Sequence, residues 1–520
     1  MGKSNLLHVL INAGAFAYSP EELQFYLVDL KAGVEFNAYA ELGIPHAKVI
    51  AVDDDPDYGL SVLEGLNAEL QSRGDLFRNA GVNDFATYRR KTGAVLPRIL
   101  LIVDEFQVLF PSDNPAVANR AAAVLDNLAR LGRGPGIHVL LCSQNIGHGD
   151  TLSAKTADQM RIRIALGCSE ADARRVLGDD NLVPARLTRK GQAIYNPNGG
   201  LKDSNREFQV ALYSGEDQAN LGRFIASRRL PTQPWPRVFV GSDPARLPEC
   251  VPLSTLLGAG SWPQSGGSIN AWLGEPIAMR PPIAARLLPE GGSNLLAVAR
   301  DEEQAVGLMV AAILSIAAQR GPEQVAFLVL DLTRSDAAWA NQSQTLADGL
   351  PHQVQVGKAR HLADQLMTLD ALLEERIAAD RALPLHVYWV ILGLHKARAL
   401  QEGDGYSSPD ADSPQAQFLK LLRQGPELGM HVLAWCDSMR NLQTVGRSAV
   451  AEFRLRVAGP MDDGDSTQLI DSTAAARLKP NRLVFVHKDE PESLLPFRPY
   501  ALPGTDWLTT TLASLKQRPH

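Results

Sequence analysis

The chain has 520 residues, long enough for two to four domains at roughly 150 residues each. Hydrophobic residues make up 45% and charged residues 21%, which excludes collagen-like and wholly disordered chains. With 51 basic and 58 acidic residues the net charge is −7, so any contact with nucleic acid has to be local, on a loop or a pore lining. Cys142, Cys168, Cys250 and Cys436 form no Cys-x-x-Cys pair, which argues against a disulfide framework or zinc knuckle and fits a reducing, cytoplasmic setting.

The chain opens Met-Gly-Lys-Ser, and residues 5–14 continue as an apolar helix pattern with Leu6, Leu7, Leu10 and Ile11. Gly-Lys-Ser at a helix start is the tail of a phosphate-binding loop. There, backbone N–H groups and the helix dipole hold phosphate oxygens, Lys3 reaches the β/γ-phosphates and the Ser4 hydroxyl binds Mg²⁺. Apolar runs at 25–30 (FYLVDL), 47–52 (AKVIAV), 99–103 (ILLIV), 137–142 (IHVLLC) and 161–166 (RIRIAL) alternate with helical patterns. They read as buried strands of a parallel sheet covered on both faces. The run at 99–103 ends in Asp104 and Glu105. At the carboxyl end of a buried strand, Asp104 can hold Mg²⁺ through water and Glu105 can polarise an attacking water. The pair can also simply cap the helix that follows, but together with Gly-Lys-Ser it points to a P-loop NTPase. Gln144 ends the neighbouring strand and either senses the γ-phosphate or is satisfied at the strand end.

Eleven prolines fall between Pro231 and Pro289, predicting a linker over 226–290 between a first module at 1–225 and a second at 291–510. The second half resumes the alternation with strands at 294–298, 325–330, 386–392, 431–435, 453–457 and 482–486. The halves look like copies. RGPGIHVLLCSQ parallels QGPELGMHVLAWCDS, and MRIRIALGCSEADARRVL parallels FRLRVAGPMDDGDSTQLI. One constant offset takes His138 to His431 and Arg161 to Arg454, the mark of a duplication. The longest apolar run, 305–318, falls short of the ~18 residues of a membrane span and reads as a buried helix.

Over about residues 1–215 the order GKS, LVDLKAGVEF with GIPH, RGDLFRNAGVNDFATY, ILLIVDEF, GPGIHVLLCSQ and IRIALGCSEADARRVLG resembles the motor domain of the FtsK/SpoIIIE family, within the FtsK–HerA class of hexameric ATPases. The resemblance implies a RecA-like α/β fold, ATP and Mg²⁺ as cofactors, a homo-hexameric ring and movement of a polymer through its pore. In most members that polymer is double-stranded DNA; in the type VII secretion branch it is an exported protein. Residue by residue it implies Gly2, Lys3 and Ser4 as the P-loop, Ser4 and Asp104 on Mg²⁺, Asp104 and Glu105 as the Walker B pair, and Gln144 as the sensor. Arg161 or Arg163 matches the arginine that reaches a neighbour's nucleotide. Arg133 is a weaker candidate for that arginine, and Lys31 is a weak candidate to face the pore. The family carries a glycine-rich lead where this chain has Met1, so the chain is expected to begin inside the first P-loop.

In the second half, the strand at 294–298 is followed by ARDEEQAV, which puts Ala305 and Val306 where the lysine and the Mg²⁺ ligand belong. Leu392 and Gly393 stand where the Asp-Glu pair belongs. The expectation is two RecA-like P-loop modules, the second unable to hydrolyse ATP, in a translocase for double-stranded DNA. Protein export and a non-hydrolysing scaffold are the alternatives.

Overall fold

A computed structural model describes residues 2–31, 35–144, 152–230, 235–241, 243–263, 268–379, 385–401, 413–490 and 493–519. The chain divides into two units, Met1–Ser242 and Asp243–His520.

In the first unit, β1 (Leu23–Asp29), β2 (Ala47–Val52), β3 (Arg98–Asp104) and β4 (Ile137–Cys142) form where the apolar runs predict. The order is β4-β3-β1-β2-β8, all parallel, with β8 (Arg237–Val240) on the far edge. Helices start at built-in caps: the Asp55 side chain accepts the Asp57 N–H at 2.8 Å and caps the helix Pro56–Asn79. The run at 161–166 departs from expectation. Only β5 (Arg163–Leu166) is strand, and it joins β6 (Gln192–Asn196) and β7 (Arg206–Gln209) in a separate antiparallel sheet. Its alternating charged and apolar residues suit a sheet with one wet face.

The second unit closes what the first leaves apart. Its strands are β9 (Ile269–Pro276), β10 (Ile283–Leu287), β11 (Leu295–Val298), β12 (Val325–Asp331), β13 (Gln353–Gly357), β14 (His386–Leu392), β15 (Met430–Cys436), β16 (Leu455–Ala458), β17 (Leu483–His487) and β18 (Leu495–Pro499). They form one sheet, β10-β9-β18-β17-β16-β11-β15-β14-β12-β13. From β16 to β13 neighbours are parallel; from β10 to β16 they are antiparallel. The helix Glu302–Gln319 is buried throughout residues 305–319, as its apolar run predicts. No helix among the described residues is long and apolar enough to cross a membrane.

The order β4-β3-β1-β2 recurs as β15-β14-β12-β13. The register recurs too: Asp29 faces Asp104 and Asp104 faces Cys142, as Asp331 faces Leu392 and Leu392 faces Trp435. Among the described residues of the first unit no strand lies where β11 joins β15 to β16. The stretch 226–290 is not a plain linker: it supplies β8 to the first sheet, the helix Val251–Gly258, and β9 and β10 to the second. Its prolines avoid strand interiors. Pro236 precedes β8, Pro276 ends β9, and Pro281 and Pro282 precede β10, an edge strand.

Candidate functional site

In the first unit, β3 delivers Asp104, and Glu105 then takes a left-handed φ of 53° that turns the chain into the short helix Phe106–Leu109. That turn breaks the up-down alternation of a strand, so two adjacent carboxylates reach one place. Opposite them the helix Lys3–Ala17 begins. Gly2 has φ 130°, a backbone conformation that favours glycine, and a Cβ there would sit 2.8 Å from Leu166 Cδ2 of β5. Lys3 Nζ donates to Asp104 Oδ1 at 2.5 Å and pairs with Glu105. Gln107 Nε2 donates to Glu105 Oε2 at 2.7 Å, and the backbone N–H of Gln144 donates to the same oxygen at 3.2 Å. Burial raises the Asp104 carboxyl above its ordinary range and outweighs the ammonium beside it. Burial would also raise Glu105, but Lys3, Gln107 and the Gln144 N–H hold it below that range. For Lys3, burial would favour the neutral amine; the two carboxylates reverse this and raise it.

The donor set fits a magnesium-bound triphosphate. Asp104 Oδ2 is buried with no hydrogen-bond partner in the described structure, a hard oxygen left over for a cation or its water. Lys3 supplies an ammonium, and the first turn of its helix carries no acidic residue to repel phosphate. The Ser4 hydroxyl donates to Glu35, and His8 Nε2 lies 3.5 Å from the same carboxylate. Glu35 was not read from the sequence. The Asp29 carboxylate places it, accepting the Lys31 N–H at 3.0 Å and the Glu35 N–H at 2.8 Å in the turn after β1. The strand-end aspartate was the signal that could have found it.

Other expected residues lie elsewhere or act otherwise. Gln144 meets Glu105 through its backbone, and its side chain is exposed. Arg163 is a correction. Its Nε, Nη1 and Nη2 donate to the carbonyls of Met160, Val176 and Ala157 at 3.1, 3.1 and 3.0 Å, so its guanidinium is occupied inside its own unit. Arg161, Arg133 and Lys31 are exposed.

The second unit has neither lysine nor acidic pair at the matching place. Ala305 and Val306 are buried in their helix, and Gly393 takes the left-handed turn that Glu105 takes, with φ 102°. At the helix start stands Glu302, which accepts the Trp339 Nε1–H at 2.9 Å and lies 3.7 Å from Lys396 Nζ. The register puts His395 at the place of Gln107, Cys436 at that of Ser143 and Asp437 at that of Gln144. The backbone N–H of Asp437 reaches His395 Nδ1 at 3.3 Å, as that of Gln144 reaches Glu105. Burial lowers the His395 imidazole and raises the Cys436 thiol to about 12.

Residues 1–148 match the FtsK/SpoIIIE family. Over 193 residues the chain is 32% identical to the ESX-5 secretion system protein EccC5 of Mycobacterium marinum, covering 35% of this chain and 13% of that protein. Over 239 residues it is 27% identical to the DNA translocase FtsK of Staphylococcus aureus, covering 44% of this chain and 29% of that protein. The chain therefore spans a small part of the curated relatives it matches. Among solved structures, the cytoplasmic domain of the type VII secretion ATPase EccC from Thermomonospora curvata matches with a TM-score of 0.65 at 20% identity, over 100% of this chain and 62% of that one. ATPases 2 and 3 of EssC from Geobacillus thermodenitrificans match at 0.58 and 17% identity, over 96% and 89%. At these identities the likeness establishes the fold.

Proposed function

We propose that the chain, whose residues 1–148 match the FtsK/SpoIIIE family, has an ATP-hydrolysing motor module as its first unit and a non-hydrolysing copy as its second. The observation that carries the reading is the meeting of Lys3 with Asp104 and Glu105, about a hundred residues apart in sequence, at the carboxyl end of a buried parallel strand. Lys3 and the N–H groups of its helix start bind the β/γ-phosphates. Ser4 and Asp104 would hold Mg²⁺, which supplies charge neutralisation on the phosphates when bound. An incoming triphosphate competes for Lys3 and frees Glu105 from its ammonium. Glu105, still oriented by Gln107 and the Gln144 N–H, then positions a water and takes its proton. Arg161 and, more weakly, Arg133, both exposed, are the remaining candidates to reach a neighbour's nucleotide in a homo-hexameric ring.

A protein chain is the moved polymer this reading favours. Two modules in tandem, the later one without counterparts of Lys3, Asp104 and Glu105, run the length of this chain, and the secretion ATPase EccC matches that whole length. Double-stranded DNA is the second reading, supported by the likeness to the DNA translocase FtsK over 44% of the chain. ATP turnover with and without duplex DNA separates them. Export predicts a rate that DNA leaves unchanged; stimulation by DNA moves the assignment to DNA translocation. Absence of ATP binding by the first unit would overturn the motor reading itself.

A further inference from the structure

We propose that the second unit binds one zinc-class divalent cation through His395, Cys436 and Asp437. The site lies at the strand ends where the first unit gathers Lys3, Asp104 and Glu105. One ligand atom from each of the three residues falls within 4.8 Å of the other two. His395 Nδ1 is 3.7 Å from Asp437 Oδ1, and Cys436 Sγ is 4.0 Å from that oxygen; the Asp437 N–H that Nδ1 accepts at 3.3 Å gives way when the metal binds. Tetrahedral zinc, with bonds of about 2.0–2.3 Å, needs ligand atoms roughly 3.3–3.7 Å apart, so closure asks for shifts of a few tenths of an ångström to about one.

The supports around the trio are those of a held ligand set. The His395 ring stands edge-on to Trp435 at 5.4 Å and 87°. Asn441 Nδ2 donates to both oxygens of Asp437, at 2.9 and 3.0 Å, and Ser438 Oγ donates to Oδ1 at 3.0 Å. Donors behind a ligating carboxylate fix its direction. The charges balance: a thiolate, a carboxylate and a neutral imidazole cancel a dication, which suits a group where Cys436 is fully buried. Sulfur and imidazole nitrogen select zinc over the magnesium that oxygen donors select in the first unit. Three protein ligands leave a fourth position open.

The unit boundary makes this independent of the motor reading. The test is equilibrium dialysis of the whole chain against Zn²⁺, and separately Co²⁺, followed by metal analysis and absorption spectroscopy. The expected result is one zinc per chain and, with cobalt, a thiolate-to-metal charge-transfer band. Cys436→Ser and His395→Gln place in the second unit the residue types that Ser143 and Gln107 provide in the first, so the fold has a precedent for both. Each is expected to lower zinc affinity about 10–100-fold or more and Cys436→Ser to remove the band. Asp437→Asn, which keeps the hydrogen-bonding shape, is the further variant should either one misfold. Lys3→Ala is expected to leave zinc binding unchanged. A folded chain that takes up no zinc, or variants that keep wild-type affinity and the cobalt band, would overturn the site.

Discussion

β4 and β15 carry related sequences, IHVLLC and MHVLAWC, yet every residue of β15 is buried while β4 is fully buried only at Ile137. The difference is one strand. In the second unit β11 pairs with β15 on one side and β16 on the other, so the sheet is continuous. In the first unit the described residues supply no counterpart to β11, and two sheets stand where the second unit has one. The strand ends diverge in the opposite sense. The first unit, with the less complete sheet, holds the lysine and carboxylate cluster; the second, with the complete sheet, holds Leu392, Gly393, His395, Cys436 and Asp437 instead. Packing and chemistry have therefore drifted separately: strand interiors keep apolar residues because the core demands them, and the residues just past them are free to change.

The largest expected effects bear on the chemistry. Lys3→Ala should abolish ATP turnover in a chain that hydrolyses ATP, and Glu105→Gln should lower it about 10²–10⁴-fold, since the amide keeps the shape and cannot take a proton. Ala305→Lys in the second unit should add no turnover, because the acidic pair that must work with it is Leu392 and Gly393 there. Steady-state phosphate release measures all three. Turnover that survives both first-unit changes would locate hydrolysis elsewhere and break the contrast between the units.

Next come effects on packing. The duplication pairs Leu140 with Leu433, one part-buried and the other fully buried. Leu433→Ala should cost about 2–5 kcal/mol and Leu140→Ala about 1, read from denaturant unfolding. Equal costs would mean that β4 is as well covered as β15. His138 and His431 form the same kind of pair. His431 donates its Nδ1–H to the Ser293 carbonyl at 2.8 Å, and burial lowers it to about 4 from 6.5. Above pH 6.5 the imidazole is neutral folded and unfolded. As the pH falls from there towards 4, only the unfolded chain takes the proton, so the second unit should lose about 3 kcal/mol from this group. His431→Gln should remove that part of the pH slope, and the matching change at His138, which is also lowered but lies exposed, should remove less.

How far the sequence carried follows from what each element depends on. β2 and β14 fall at their expected bounds because a strand buried on both faces is largely apolar. The cluster of Lys3, Asp104 and Glu105 was legible because Gly-Lys-Ser and a strand ending in Asp-Glu each have local signatures. Glu35 and Gln107 had none of that specificity: a turn around Asp29 brings one, and the left-handed step at Glu105 brings the other. β13 (QVQVG) was missed because an edge strand needs few apolar residues, and β8 and β10 because prolines flank them. His395 stood in view at the end of HVYWVILGLH, but its nearness to Cys436 depends on how β14 and β15 pair.

The smallest expected contrast is the arginine pair, and it is the one that separates a structural role from a catalytic one. Arg456 donates to the carbonyls of Phe453, Leu469 and Val450 at 2.8, 2.6 and 3.0 Å, the residues that match Met160, Val176 and Ala157 around Arg163. A network kept in both copies, including the one with no acidic pair to serve, is kept for the fold. Arg456 is buried and Arg163 half-buried, so alanine should cost about 3 kcal/mol at Arg456 and about 2 at Arg163, through carbonyls left without donors. Lysine should rescue neither, since one ammonium on a flexible stem cannot span three carbonyls fixed by a planar fork. If Arg163→Ala instead left stability untouched and cut turnover as an arginine finger would, by about 10³-fold or more, the guanidinium would have to leave these carbonyls in the assembled ring. Arg161, whose side chain points to solvent from the strand's approach, is where that loss is expected.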